Sequence, residues 1–83
     1  MADNVLAYIL MEIEIGKTDD VVEQLRKIPQ ATKIAITTGL FDIVVLLDVA
    51  NLEELYNITV QHIHKIAGIK ETQTAVVEKM MTI

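Results

Sequence analysis

Thr37-Thr38-Gly39-Leu40-Phe41-Asp42-Ile43-Val44-Val45-Leu46-Leu47 lies near the middle of the chain, and its reading decides the fold. Gly39 separates two stretches rich in β-branched and aliphatic residues, about 31–38 and 41–49. The segment therefore reads as strand, turn, strand. Glycine at the first central position of a two-residue loop, here Gly39-Leu40, favours a type II′ hairpin. One residue is out of place: Asp42 puts a carboxylate just inside a run of Phe, Ile, Val and Leu.

Moving outward from the hairpin gives the remaining elements. On the N-terminal side, Val5 to Ile15 reads as a strand that Gly16-Lys17 breaks. Thr18-Asp19-Asp20 then offers an N-cap and first-turn acids to a short helix. Its apolar residues Val21, Val22, Leu25 and Ile28 recur at helical spacing, and Pro29 stops it. On the C-terminal side, Asn51 with Glu54 three residues on forms a capping box. The apolar stripe of that second helix is Leu52, Leu55, Tyr56, Thr59, Ile63, Ile66 and Ala67, and Gly68 closes it as a left-handed residue. A last strand runs from Ile69 to about Met81. The order βαββαβ predicts an α+β, ferredoxin-like domain: a four-stranded antiparallel sheet with both helices on one face.

Strand parity adds a second expectation. The odd positions Val5, Ala7, Ile9, Met11, Ile13 and Ile15 form one apolar face, and Phe41, Ile43, Val45, Leu47 and Val49 repeat it. The even positions Leu6, Tyr8, Leu10, Val44 and Leu46 point the other way and are apolar too. Two helices cover one face of such a sheet, so the other is an association surface. A homodimer packed sheet on sheet, a dimeric α+β barrel, follows.

The chain has 83 residues, net charge −5, no cysteine and 4% aromatic residues. That length makes one domain, which buries roughly 60% of the surface its unfolded chain exposes and gains from association. Disulfide and thiolate chemistry are excluded. The basic residues are scattered singly apart from Arg26-Lys27, and no aromatic is interleaved with them, which argues against direct nucleic-acid binding. Met1-Ala2-Asp3-Asn4 lacks the basic n-region of a secretory signal, and Ile43–Leu47 is too short to span a bilayer; a soluble, cytoplasmic protein is expected.

No catalytic or metal-binding constellation emerges. His62 and His64 are two apart on a helix and diverge, whereas helical ligand pairs sit three or four apart; both read as solvated helix-end residues. Glu12 and Glu14 share a face at a strand end, without a pocket to separate their pKa values. No cofactor motif is present. Two features remain: the Asp42 hairpin, and the last strand with Thr72 and Thr74 on one side together with Lys70 and Val76. A carboxylate by a turn and hydroxyls at alternate strand positions suit a small zwitterion, Asp42 meeting its ammonium while turn N–H groups and threonine hydroxyls meet its carboxylate. Asp42 bonding the turn's own backbone, with threonines as ordinary strand formers, explains the same residues. Spacing does not separate the two.

Thr38-Gly39-x-x-Asp42, then an apolar strand, a helix and Gly68-Ile69-x-x-Thr72-x-Thr74, resembles the effector domain of the Lrp/AsnC transcription regulators, called RAM for regulation of amino-acid metabolism. The similarity runs from about Val5 to the end of the sequence. Full-length members carry a DNA-binding helix-turn-helix domain for which residues 1–83 have no room, so the chain looks like a stand-alone RAM protein. The resemblance implies a non-enzymatic amino-acid sensor that modulates Lrp/AsnC-type transcription regulation or amino-acid metabolism. It also implies sheet-to-sheet dimers assembled into octamers or decamers, and mixed assemblies with a full-length regulator as partner. The effector would sit between dimers, against Gly39, Leu40 and Asp42 and against Thr72, Gln73 and Thr74. Ala75 is small where relatives often carry something bulkier, and Leu40 and Phe41 flank the hairpin, which favours an uncharged, aliphatic amino acid. Two alternatives compete: a small dimeric ferredoxin-like enzyme of monooxygenase or isomerase type, and a purely structural ring-former.

Overall fold

A computed structural model describes residues 4–83. Met1-Ala2-Asp3, read above for a secretory signal, lie outside the described residues. In chain order the elements are β1 (Val5–Ile13), α1 (Thr18–Leu25), β2 (Ala31–Ile36), β3 (Ile43–Val49), α2 (Leu52–Gln61), a 3₁₀ turn (Ile63–Lys65) and β4 (Ile69–Val76). The strands form one sheet in the order β2-β3-β1-β4, antiparallel throughout. This is the ferredoxin-like α+β fold expected from the element order.

The core is made where the odd positions of the two central strands meet the helices. Ala7, Ile9, Met11 and Ile13 of β1 and Ile43, Val45, Leu47 and Val49 of β3 are buried with Val21 and Leu25 of α1, Leu55 and Ile58 of α2, and Ile63. Burying one such aliphatic side chain is worth about 1.5–3 kcal/mol. Leu6, Tyr8, Leu10, Val44 and Leu46 lie on the opposite face and remain half exposed. Cross-strand pairing lines them up, Tyr8 opposite Leu46 and Leu10 opposite Val44.

Several boundaries differ from the sequence reading. β1 ends at Ile13, so Ile15, expected on the core face, is fully exposed in the turn that follows. Lys17, not Thr18, is the N-cap of α1, and its side chain makes no capping bond. At α2, the Asn51 side chain does accept from the Glu54 N–H at 2.8 Å, while Glu54 Oε1 accepts from Ala50 N–H, one residue before the cap. The α-helix stops at Gln61 rather than running to Gly68, and Leu52 (61% exposed) and Tyr56 (64%) face outward instead of belonging to the buried stripe. Leu55, Ile58 and Ile63 already fill the space between α2 and the sheet.

Gly68 takes the left-handed conformation its position requires, with φ +102. A Cβ there would lie 2.8 Å from Lys17 Cβ and 3.2 Å from Val21 Cγ2, so the residue is also a point of close approach between α1 and the start of β4. Its carbonyl accepts from Glu14 N–H at 2.8 Å.

The central hairpin is wider than a type II′ turn. β2 ends at Ile36 and β3 begins at Ile43, leaving residues 37–42 as the connection. Thr37 N–H donates to the Asp42 carbonyl and Thr37 Oγ1 donates to the Phe41 carbonyl, both at 2.8 Å. These bonds close a loop with four residues, 38–41, at its tip. Gly39, with φ +103, sits there with nothing near its missing side chain. Phe41, expected on the core face of β3, is in this loop and half exposed.

Candidate functional site

Asp42 is placed by two hydrogen bonds to the first strand. Its N–H donates to the Met11 carbonyl, and its Oδ2 accepts from Ile13 N–H, each at 2.8 Å. At this point the chain is leaving the ladder, and the Phe41 carbonyl is already taken by Thr37. The carboxylate stands in for the backbone acceptor that β3 no longer supplies. The sequence offered the turn's own backbone as the structural partner of Asp42; the partner is instead a strand 29 residues away. Oδ1 makes no hydrogen bond among the described residues.

On the other side of β1, Thr72 pairs with Met11, Gln73 with Leu10 and Thr74 with Ile9. Pairing fixes the faces. Thr72 and Thr74 point to the helix side with Met11 and Ile9, as their alternation predicts, whereas Gln73 joins Leu10 on the open face. Lys70 departs from its expected place beside Thr72. The β1–β4 register slips by one residue between Glu12 and Ile13, which leaves Lys70 as the extra residue of a bulge. Its ammonium turns to Glu12, with Nζ 3.5 Å from Oε1.

Ile43, Met11 and Thr72 form one row across β3, β1 and β4, and Asp42 lies one residue beyond that row. The Asp42 side and the Thr72 side are therefore two strand spacings apart, roughly 9–10 Å at about 4.8 Å per strand. β1 runs between them. One α-amino acid head group does not reach both within a single chain. Gly39 and Leu40 extend past the sheet end with Asp42, Leu40 being 85% exposed. Thr74 is exposed along the β4 edge.

The sequence reading missed His64 in this neighbourhood. Its Nε2 lies 3.3 Å from Thr72 Oγ1, because the chain leaves α2 at Gln61 and the 3₁₀ turn swings the imidazole toward β4. A continuous helix to Gly68 gave no sign of that contact. His62 instead lines a groove of about 740 Å³ between α1 and the end of α2, with Lys17, Lys27 and Lys65. A second groove, about 410 Å³, runs between α1 and β2. Neither is lined by Asp42 or by Thr72. Among the described residues no group of three acidic, His or Cys side chains is placed to hold a metal. No described helix is long and apolar enough to cross a membrane.

Comparison with known proteins gives a consistent picture. Residues 6–81 match the model of the Lrp/AsnC ligand binding domain. The HTH-type transcriptional regulator FL11 of Pyrococcus furiosus is 36% identical over 77 residues, covering 93% of this chain and 50% of the regulator. The chain spans about half the length of the curated relatives it matches. Among solved structures, FFRP-DM1 superposes with a TM-score of 0.84 at 29% identity, covering 88% of this chain and 97% of that one. The transcriptional regulator NMB0573 of Neisseria meningitidis, solved as a complex with L-Met, superposes at 0.87 with 18% identity, over 95% of this chain and 53% of that one. At that identity the likeness is one of fold.

Proposed function

The chain belongs to the Lrp/AsnC ligand-binding domain family, and on that premise we propose that it binds a free, uncharged amino acid between subunits. Its ammonium meets Asp42 beside the Gly39-Leu40 loop of one chain. Its carboxylate meets the β4 edge of another at Thr72, Gln73 and Thr74. Family membership makes this a regulatory, ligand-binding domain and sets aside the enzyme alternative; the relatives are transcriptional regulators.

The observation that carries the proposal is the carboxylate of Asp42. It is half buried at a sheet end, held by one oxygen, with the other free of hydrogen bonds among the described residues. A fixed anion with a spare acceptor is what an ammonium needs. The separation of Asp42 from Thr72 by the width of β1 supports a site shared between chains, and the half-exposed apolar face of Leu6, Tyr8, Leu10, Val44 and Leu46 supports the sheet-to-sheet dimer that brings chains together. Rings of four or five such dimers, an uncharged and aliphatic side chain beside Leu40, a cytoplasmic setting and a full-length Lrp/AsnC regulator as partner complete the reading.

A second reading has its own observation. The Ile13 N–H already accounts for Asp42 structurally, which is all a ring-former without effector requires. A thermal-shift scan against the twenty amino acids separates the two. Ligand at a hundred times its dissociation constant adds about 2.7 kcal/mol per site. Asp42→Asn keeps an acceptor for Ile13 N–H and removes the charge, so the sensor loses roughly 10–100-fold in affinity while the fold stays intact. A wild-type protein that melts normally and responds to none of the twenty is a structural ring-former.

A further inference from the structure

Ile63 is fully buried in the core and anchors the 3₁₀ turn, with a histidine on either side of it. The two histidines part there. His62 goes to the groove facing α1, and His64 goes to β4, where its Nε2 lies 3.3 Å from Thr72 Oγ1. β4 is an edge strand, so this pair stands at the rim of the sheet. Thr72 is half-buried and His64 exposed.

The charged groups of the neighbouring elements are turned elsewhere. Lys65 bonds Gln61 and lines the α1 groove with His62, opposite Lys17, Asp20, Glu23 and Lys27. On β4, Glu71 pairs with Glu12 and the Lys70 ammonium turns to Glu12, on the open face away from Thr72. The helix side of β1 offers only Met11 and Ile9 beside Thr72 and Thr74. Glu53 and Glu54 sit in the first turn of α2, at the far end of that helix. Among the described residues neither ion pair includes His64.

The contact sets the direction of one hydroxyl. Threonine has a single hydroxyl proton to donate and lone pairs with which to accept. An Nε2 without a proton takes the Thr72 proton and leaves only lone pairs facing outward, which repel a carboxylate. An Nε2 with a proton donates instead, and the hydroxyl is free to turn outward as a donor. An imidazolium carries N–H on both nitrogens, so it enforces the second arrangement and puts positive charge behind the hydroxyl.

We infer that His64 is a positioning residue for the carboxylate end of the bound amino acid, acting through Thr72, and that binding takes up a proton at its imidazole. This rests on the amino-acid site proposed above, with Thr72 at its carboxylate end. An imidazole ordinarily changes charge between about pH 5 and 8, where a ligand carboxylate stays ionised. Binding favours the protonated ring and therefore tightens as the pH falls through that range.

The probes are the twenty amino acids, scanned by thermal shift at about pH 6 and about pH 8, with isothermal titration calorimetry on each that responds. Affinity is expected to be roughly five- to tenfold higher at the lower pH. Near neutrality the binding heat should vary with the ionisation enthalpy of the buffer, in the sense of proton uptake. His64→Gln, whose amide keeps an uncharged donor for Thr72, abolishes both effects and leaves binding in place. Thr72→Val abolishes both and weakens binding at either pH, whereas His62→Gln changes neither. Equal affinity at the two pH values, or a pH dependence that survives His64→Gln, overturns the inference while the amino-acid site stands. A response to none of the twenty at either pH overturns both.

Discussion

Leu46 and Leu47 are neighbours in β3 with the same side chain and opposite fates. Leu47 is fully buried in the core on the helix side of the sheet, while Leu46 stays half exposed on the other side of the same strand. The contrast extends to the two faces as wholes. Both are aliphatic along the central strands, but the chain provides a cover for one of them alone. Composition cannot distinguish the faces; what distinguishes them is where the two helices pack. The covered face answers for the stability of a single chain, and the other stays half exposed in it.

Substitutions on each side sharpen that difference. Leu47→Ala should cost about 2–5 kcal/mol in denaturant unfolding, through lost burial and an unfilled cavity, at every protein concentration. Leu46→Glu should leave a folded chain but, in the sheet-to-sheet dimer proposed for this domain, raise the dissociation constant roughly 100-fold, since a carboxylate would be left unpaired between two apolar sheets. Sedimentation equilibrium reads the second effect. If Leu46→Glu instead unfolded dilute protein as severely as Leu47→Ala, the division of labour between the faces would fail.

Gly68→Ala probes how the covered face is held. It forces a left-handed non-glycine residue, and its methyl meets Lys17 Cβ, where α1 packs over the start of β4. A loss of about 1–3 kcal/mol in thermal stability is expected. The smallest effect belongs to the open-face pair Lys70–Glu12. Both side chains are substantially exposed, at 54% and 39%, so Lys70→Ala should change stability by about 0.5 kcal/mol or less, and less still in salt.

The fold was legible because period-two alternation in β1 and β3 is nearly unbroken and the breaks at Gly16, Pro29, Gly39 and Gly68 fall between elements. What escaped the sequence were features decided by tertiary partners. The end of α2 is one: Ile63 enters the core from a 3₁₀ turn, which no helical stripe distinguishes from a longer helix. The width of the central loop is another, because Thr37 closes it through a hydroxyl-to-carbonyl bond that competes with the two-residue turn. The bulge at Lys70 is a third, a slip that moves one side chain off its expected face without a glycine to mark it. For the candidate site, residue types and alternation were readable. The separation of Asp42 from Thr72 by a whole strand was not, since it depends on β1 inserting between β3 and β4.

The bond between Ile13 N–H and Asp42 Oδ2 also makes the molecule observable. An amide proton held by a carboxylate senses the charge on that carboxylate directly, and any cation arriving at the free Oδ1 draws that charge away. The Ile13 amide is thus a native spectroscopic probe, set in a rigid strand. Its resonance in a ¹⁵N spectrum would report occupancy of the loop by an ammonium group, amino acid by amino acid.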